Sequence, residues 1–131
     1  MIVDSSVLIA VLKNEPDAAL VVTTLATAES LSLSAANYLE AGIVADRHLK
    51  PADAVRLDEL IAEFQIEIVP VTAEHAHLAR KACREFGKGN HPAKLNFGDC
   101  FAYALAKATG EPLLFKGADF AQTDVARALP T

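Results

Sequence analysis

Four short apolar runs, at residues 1–3, 31–34, 66–69 and 112–115, are separated by long stretches of helical periodicity, and this spacing most restricts the fold. Parallel strands need a crossover of about a dozen residues or more, most often a helix. The sequence between the runs supplies those helices. Asp4-Ser5-Ser6 caps one through Leu12, and Pro16 opens a second ending at Ala28. Ser34 caps a third over 35–49, and Pro51 begins a fourth reaching Phe64. Thr72 caps the next, over 73–86, which Gly87 stops before a loop at 88–95; Asn96 caps an apolar helix over 97–109 that Gly110 closes. Strictly alternating strands and helices predict an α/β architecture, a central parallel sheet with helices on both faces.

With 131 residues, 52% of them apolar, the chain has the material for one core, and a single domain over 1–131 is expected. A mean hydropathy of +0.24 excludes a disordered segment. Charges interrupt every apolar run before it could span a bilayer. The amino end has no basic leader and carries Asp4 among its apolar residues, so a cytoplasmic location is expected. Cys83 and Cys100 form no CxxC pair and are expected to be small buried apolar residues.

The net charge of −5 conceals an asymmetry. Residues 1–79 hold 4 basic and 12 acidic groups, and residues 80–131 hold 8 basic and 5 acidic. Arg80, Lys81, Arg84, Lys88 and Lys94 face only Glu85, with the flexible Gly87 and Gly89 among them, a candidate polyanion track or else a solvated helix face.

Four carboxylates fall at informative places. Asp4 follows the first strand and Asp119 the last, both at carboxyl ends of parallel strands, where open α/β sheets bind ligands. Glu40 shares its helical face with Ala36, Leu39, Ile43 and Val44, a face that should be buried. Asp99 lies in the first turn of the last long helix. A helix cap, a first-turn dipole partner and a turn former account singly for Asp4, Asp99 and Asp119, but capping and turn chemistry do not account for Glu40. Converging carboxylates repel unless a cation neutralises them, and an oxygen-only donor set selects Mg²⁺ or Mn²⁺.

Other chemistries on this scaffold lack their residues. A receiver domain needs an acidic pair after the first strand, and a haloacid-dehalogenase phosphatase needs a second Asp where Ser6 stands. No GxGxxG or GxxxxGK[ST] loop cradles phosphate. His75 and His77, two apart on a helix, point different ways and are no metal pair.

The segments MIVDSSVLIAVL, ANYLEAGIV, LNFGDCFAYALAKATGEPLLFKG and ADFAQTD, in this order across essentially the whole chain, resemble the PIN-domain ribonucleases and closely the VapC toxins of bacterial toxin–antitoxin pairs. The resemblance implies a three-layer α/β/α domain and an acidic cluster of Asp4, Glu40, Asp99 and Asp119. Asp4 and Asp99 would hold Mg²⁺ or Mn²⁺ for hydrolysis of RNA phosphodiesters. Ser5, Ser6, Thr123 and Asp124 are candidate supporting residues, Asp124 either in the outer shell or as a turn cap. Many family members carry a hydroxyl residue just before the final acid, whereas Lys116-Gly117-Ala118 precede Asp119 here.

The resemblance further implies a VapB-type antitoxin blocking the acidic site, and a homodimer with Val21, Val22 and Leu25 at the interface or in the core. Phe97 and Phe120 either stack on bases or pack inside. Two other classes share these residues: a PIN-like binding module without turnover, and a nuclease acting on structured DNA.

Overall fold

The computed structural model describes residues 1–89 and 91–129. In chain order the elements are β1 (Ile2–Val3), α1 (Ser5–Leu12), α2 (Ala18–Thr27), β2 (Ser32–Ser34), α3 (Ala35–His48), α4 (Pro51–Ala54), α5 (Arg56–Glu63), β3 (Glu67–Val69), α6 (Ala73–Phe86), α7 (Phe97–Thr109) and β4 (Leu113–Leu114), followed by a 3₁₀ turn at Phe120–Gln122. All four strands are parallel, in the order β3-β2-β1-β4, with Ile2 in register with both Ser32 and Leu113. The helix expected over 51–64 is split at Val55, which keeps near-helical angles of φ −65° and ψ −20°.

Right-handed crossovers put α1 to α5 on one face as the chain steps outward from β1 to β3, and α6 and α7 on the other as it returns to β4. The strand side chains divide accordingly. Val3, Leu33 and Leu114 join Val7, Leu8, Leu57 and Ile61 in one core; Ile2, Leu113 and Phe115 join Ala102, Tyr103 and Leu105 in a second. Alternation of side chains along each strand feeds both cores, so the sheet is covered on both sides.

For several side chains the structure selects between the alternatives the sequence leaves open, and for Cys83 it differs from expectation. Val21 and Leu25 are in the first core and Val22 at the surface; Phe120 is buried, whereas Phe97 is 82% exposed. Cys100 is buried but Cys83 is exposed, because the stripe that α6 turns inward runs through Ala79 and Ala82 instead. Gly87 is required by close approach rather than by flexibility. Its φ is an ordinary −68°, and a Cβ there would stand 2.1 Å from the Cys83 carbonyl oxygen. The 88–95 loop, whose Asn90 lies outside the described residues, is closed by hydrogen bonds from Lys88 N to Leu95 O and from Leu95 N to Phe86 O. Among the described residues no helix is long and apolar enough to cross a membrane.

Candidate active site

The strand order changes direction at β1, from which β2 lies on one side and β4 on the other. Beyond the carboxyl ends of such a pair an open parallel sheet leaves its crevice. Here a cleft of about 400 Å³ opens, and Asp4, Glu40, Asp99 and Asp119 all line it, with Ser5 and Ser6.

Asp4 is the N-cap of α1; its Oδ2 accepts from Ser6 N at 3.0 Å, and its buried Oδ1 has no hydrogen-bond partner among the described residues. Loss of water raises its pKa to about 6 against the opposing Ser6 hydrogen bonds, and Glu40 adds repulsion. Asp99 closes the capping box of α7, its Oδ2 accepting from Asn96 N at 3.0 Å while Asn96 Oδ1 accepts from Asp99 N at 2.9 Å. Burial raises its pKa to about 7, with Asp4, Asp119 and Glu40 adding repulsion against the Asn96 bond. The capping roles are therefore real, and they coexist with a shared cleft.

Glu40 reaches the cleft for a different reason from the one its neighbours suggest. The inward face of α3 is Asn37, Ala41 and Ala45, while Leu39 and Ile43 are 61% and 41% exposed. Those two large apolar residues mislead the periodicity because small residues form the packed stripe. The Glu40 carboxylate is held by Ser5 Oγ, which donates to Oε1 at 2.5 Å, and by Asn37 Nδ2 at 3.3 Å. Ser6 Oγ accepts from Lys116 N at 3.0 Å and joins α1 to the end of β4. Asp119 is exposed at the rim, just before the 3₁₀ turn.

Asp124 lies elsewhere. Tyr103 Oη donates to its Oδ1 at 2.5 Å and Lys107 Nζ lies 3.1 Å from its Oδ2, contacts that hold its pKa below the usual value. Thr123 Oγ1 donates to Phe120 O at 2.7 Å and closes the turn. Asp124 thus ties the carboxyl-terminal segment to α7, while Thr123 acts within that segment. Arg80, Lys81, Arg84, Lys88 and Lys94 are all exposed along α6 and its following loop. His75 completes a capping box with Thr72, and His77 is exposed.

Sequence reasoning missed three participants. Lys116 enters the cleft and ion-pairs with Glu15 Oε2 at 2.5 Å and Asp17 Oδ1 at 2.9 Å, contacts that raise its pKa. Asn37 and Gly98 join α3 to α7 beside Glu40. A polar residue within the small-residue stripe Asn37, Ala41, Ala45 was the available signal for Asn37.

As placed, no three His, Cys, Asp or Glu side chains among the described residues group tightly enough to enclose an ion. Two carboxylates suffice for Mg²⁺, which keeps several waters and commonly takes only one or two acidic ligands. An unpartnered, buried Asp4 Oδ1 beside an Asp99 that resists ionisation suits a hard divalent cation.

A parallel sheet with this switch point and this acidic cleft defines the class, and the chain belongs to the PIN domain family, which it matches over residues 1–126. It is 54% identical over 130 residues to ribonuclease VapC28 of Mycobacterium tuberculosis, covering 98% of each chain. Two solved structures share the fold. One is the sarcin-ricin-loop-cleaving toxin VapC20 of Mycobacterium tuberculosis, with a TM-score of 0.78 at 15% identity over 95% of each chain. The other, VapBC2 of Rickettsia felis bound to a promoter DNA fragment, has a TM-score of 0.74 at 14% identity, covering 96% of this chain and 94% of that one.

Proposed function

We propose that this chain is a metal-dependent endoribonuclease, the toxin of a VapBC-type toxin–antitoxin pair, working in the cytoplasm as one PIN domain over 1–131. Its action on tRNA, rRNA or mRNA would inhibit translation or growth. The observation that carries this reading is the convergence of Asp4 and Asp99, from the ends of two different elements, on one cleft where both have raised pKa values. Relatives named VapC ribonucleases support the activity.

In this reading Asp4 and Asp99 hold Mg²⁺ or Mn²⁺. The ion would supply charge neutralisation at the scissile phosphate and a more acidic water. Glu40 and Asp119 orient the attacking water or a second ion, and Ser5 and Ser6 hold Glu40 and the β4 end in place. Arg80, Lys81, Arg84, Lys88 and Lys94 guide the RNA backbone toward an otherwise acidic cleft. A VapB-type antitoxin would mask the cleft, and the exposed Leu39, Ile43 and Phe97 beside it form the face on which a second copy packs.

The test is cleavage of an RNA pool by antitoxin-free protein with Mg²⁺ or Mn²⁺ and with chelator, comparing wild type with folded Asp99→Asn. Metal-dependent cutting absent from the variant is expected. Equal traces in both proteins would overturn the reading.

A further inference from the structure

Asn37 is fully buried, and its amide nitrogen donates to the Gly98 carbonyl oxygen at 2.9 Å and to Glu40 Oε1 at 3.3 Å. Its Oδ1 has no partner among the described residues. Turning the amide over would aim that oxygen at two other oxygens, so the acceptors fix its orientation. A buried amide with one end unpaired is a poor choice for stability alone, and the other inward positions of α3, Ala41 and Ala45, are apolar.

Gly98 meets the same carboxylate from α7. A Cβ at Gly98 would stand 1.8 Å from Glu40 Oε2, so only glycine leaves room for the carboxylate where it lies. Gly98 also immediately precedes Asp99. The Asn37 amide therefore touches Glu40 and the turn that carries Asp99 at once.

We propose that Asn37 and Gly98 form the seat of Glu40, two positioning residues that set its carboxylate and the Asp99 turn at the spacing needed to bind a hard divalent cation. This rests on the metal-dependent reading of the cleft. Neither residue touches substrate; both act through Glu40 and Asp99.

Asn37→Leu keeps the heavy-atom count and the branch at Cγ, and removes both donors along with the unpaired carbonyl. Mn²⁺ binding to the full chain by calorimetry, and thermal unfolding without metal, are measured for Asn37→Leu and Gly98→Ala, each in the wild-type and the Glu40→Gln background. Asn37→Leu is expected to unfold at the same or a higher temperature while Mn²⁺ affinity falls roughly tenfold. Gly98→Ala should lose affinity similarly, because the flexible end of Glu40 is what must move. In the Glu40→Gln background both losses should shrink markedly, leaving only the part that passes through the Asp99 turn, as coupled residues require.

A lower unfolding temperature with unchanged Mn²⁺ affinity would overturn the proposal, as would equal losses in both backgrounds. If Asn37→Leu does not fold, Gly98→Ala decides. A wild type that binds no Mn²⁺ sinks the metal reading itself, whereas variants that bind as well as a competent wild type sink only the seat.

Discussion

Asp4 and Asp99 each fasten a helix start with Oδ2, Asp4 through Ser6 N and Asp99 through Asn96 N, and both are buried at one cleft. Each is thus useful to the fold as a hydrogen-bond acceptor and costly to it as a charge. Asparagine retains the acceptor and is itself a good cap. Asp4→Asn is therefore expected to stabilise the metal-free protein at pH 7.5, by ~1 to 3 kcal/mol given a pKa raised from 3.8 to about 6. Asp99→Asn should move in the same direction. Both variants should lose RNA cleavage. Thermal unfolding beside a cleavage assay checks this, and a destabilised Asp4→Asn would show that the charge is not opposed by its surroundings.

The same shifts set a pH dependence. In the unfolded chain these carboxyls release their protons near 3.8, but in the folded chain only near pH 6 for Asp4 and 7 for Asp99. Between those limits the folded state holds more protons, so their contribution to stability is greatest below about pH 4 and declines as pH rises to 7. Divalent cations reverse this, since binding requires both acids ionised. At pH 7.5, Mg²⁺ or Mn²⁺ at a hundred times its Kd should stabilise by about 2.7 kcal/mol, and chelator should remove the gain. At pH 5 the metal effect should be much smaller. Thermal scans at the two pH values with and without metal test it, and an equal metal shift at both would contradict it.

What could be read from the sequence follows the range of the interactions concerned. The sheet was legible because four apolar runs and six caps are local features, and each strand's crossover length admits little but parallel pairing. Asp4 and Asp99 were legible because strand ends and first helical turns are local too. Glu40 was found from a stripe of Leu39 and Ile43 that turned out to be exposed; the true inner stripe is Asn37, Ala41 and Ala45, too small for periodicity to weigh. Asn37 could not be placed because its partner Gly98 is 61 residues away. Lys116 likewise reveals its part only beside Glu15 and Asp17, which the fold brings to it from the far end of the chain.

Arg84, Lys88 and Lys94 are exposed on and after α6, which packs against the helix that carries Asp99. Contacts from such residues to RNA phosphates release counterions, so each adds to the salt dependence of binding and little to sequence preference. Replacing all three with Gln in a catalytically silent Asp99→Asn background is expected to lower the slope of log K against log salt by about 2, at about 0.7 per contact with a single strand. Titration of labelled RNA over a range of salt concentrations measures that slope. An unchanged slope would remove these residues from the track.

Phe97 stands 82% exposed at the start of α7, beside an apolar groove of about 260 Å³ that it lines with Leu39, Ile43 and Phe101. A two-fold contact applies one patch to itself, so that patch must hold both a projection and a recess, and this face offers both. Glu40 lines the same groove, which places such an interface against the acidic cleft. Phe97 meets Phe101 edge to face at 5.0 Å and is mostly solvent-exposed, so removing it should cost the monomer little. Phe97→Asp would instead bring two buried charges together across the axis, a repulsion that the fold does not feel and the dimer does. Sedimentation at micromolar concentration is expected to give a dimer for wild type and, for Phe97→Asp, a monomer that keeps the wild-type circular-dichroism spectrum and loses only the stabilisation that association supplies. A dimer that survives the substitution would move the interface to another face.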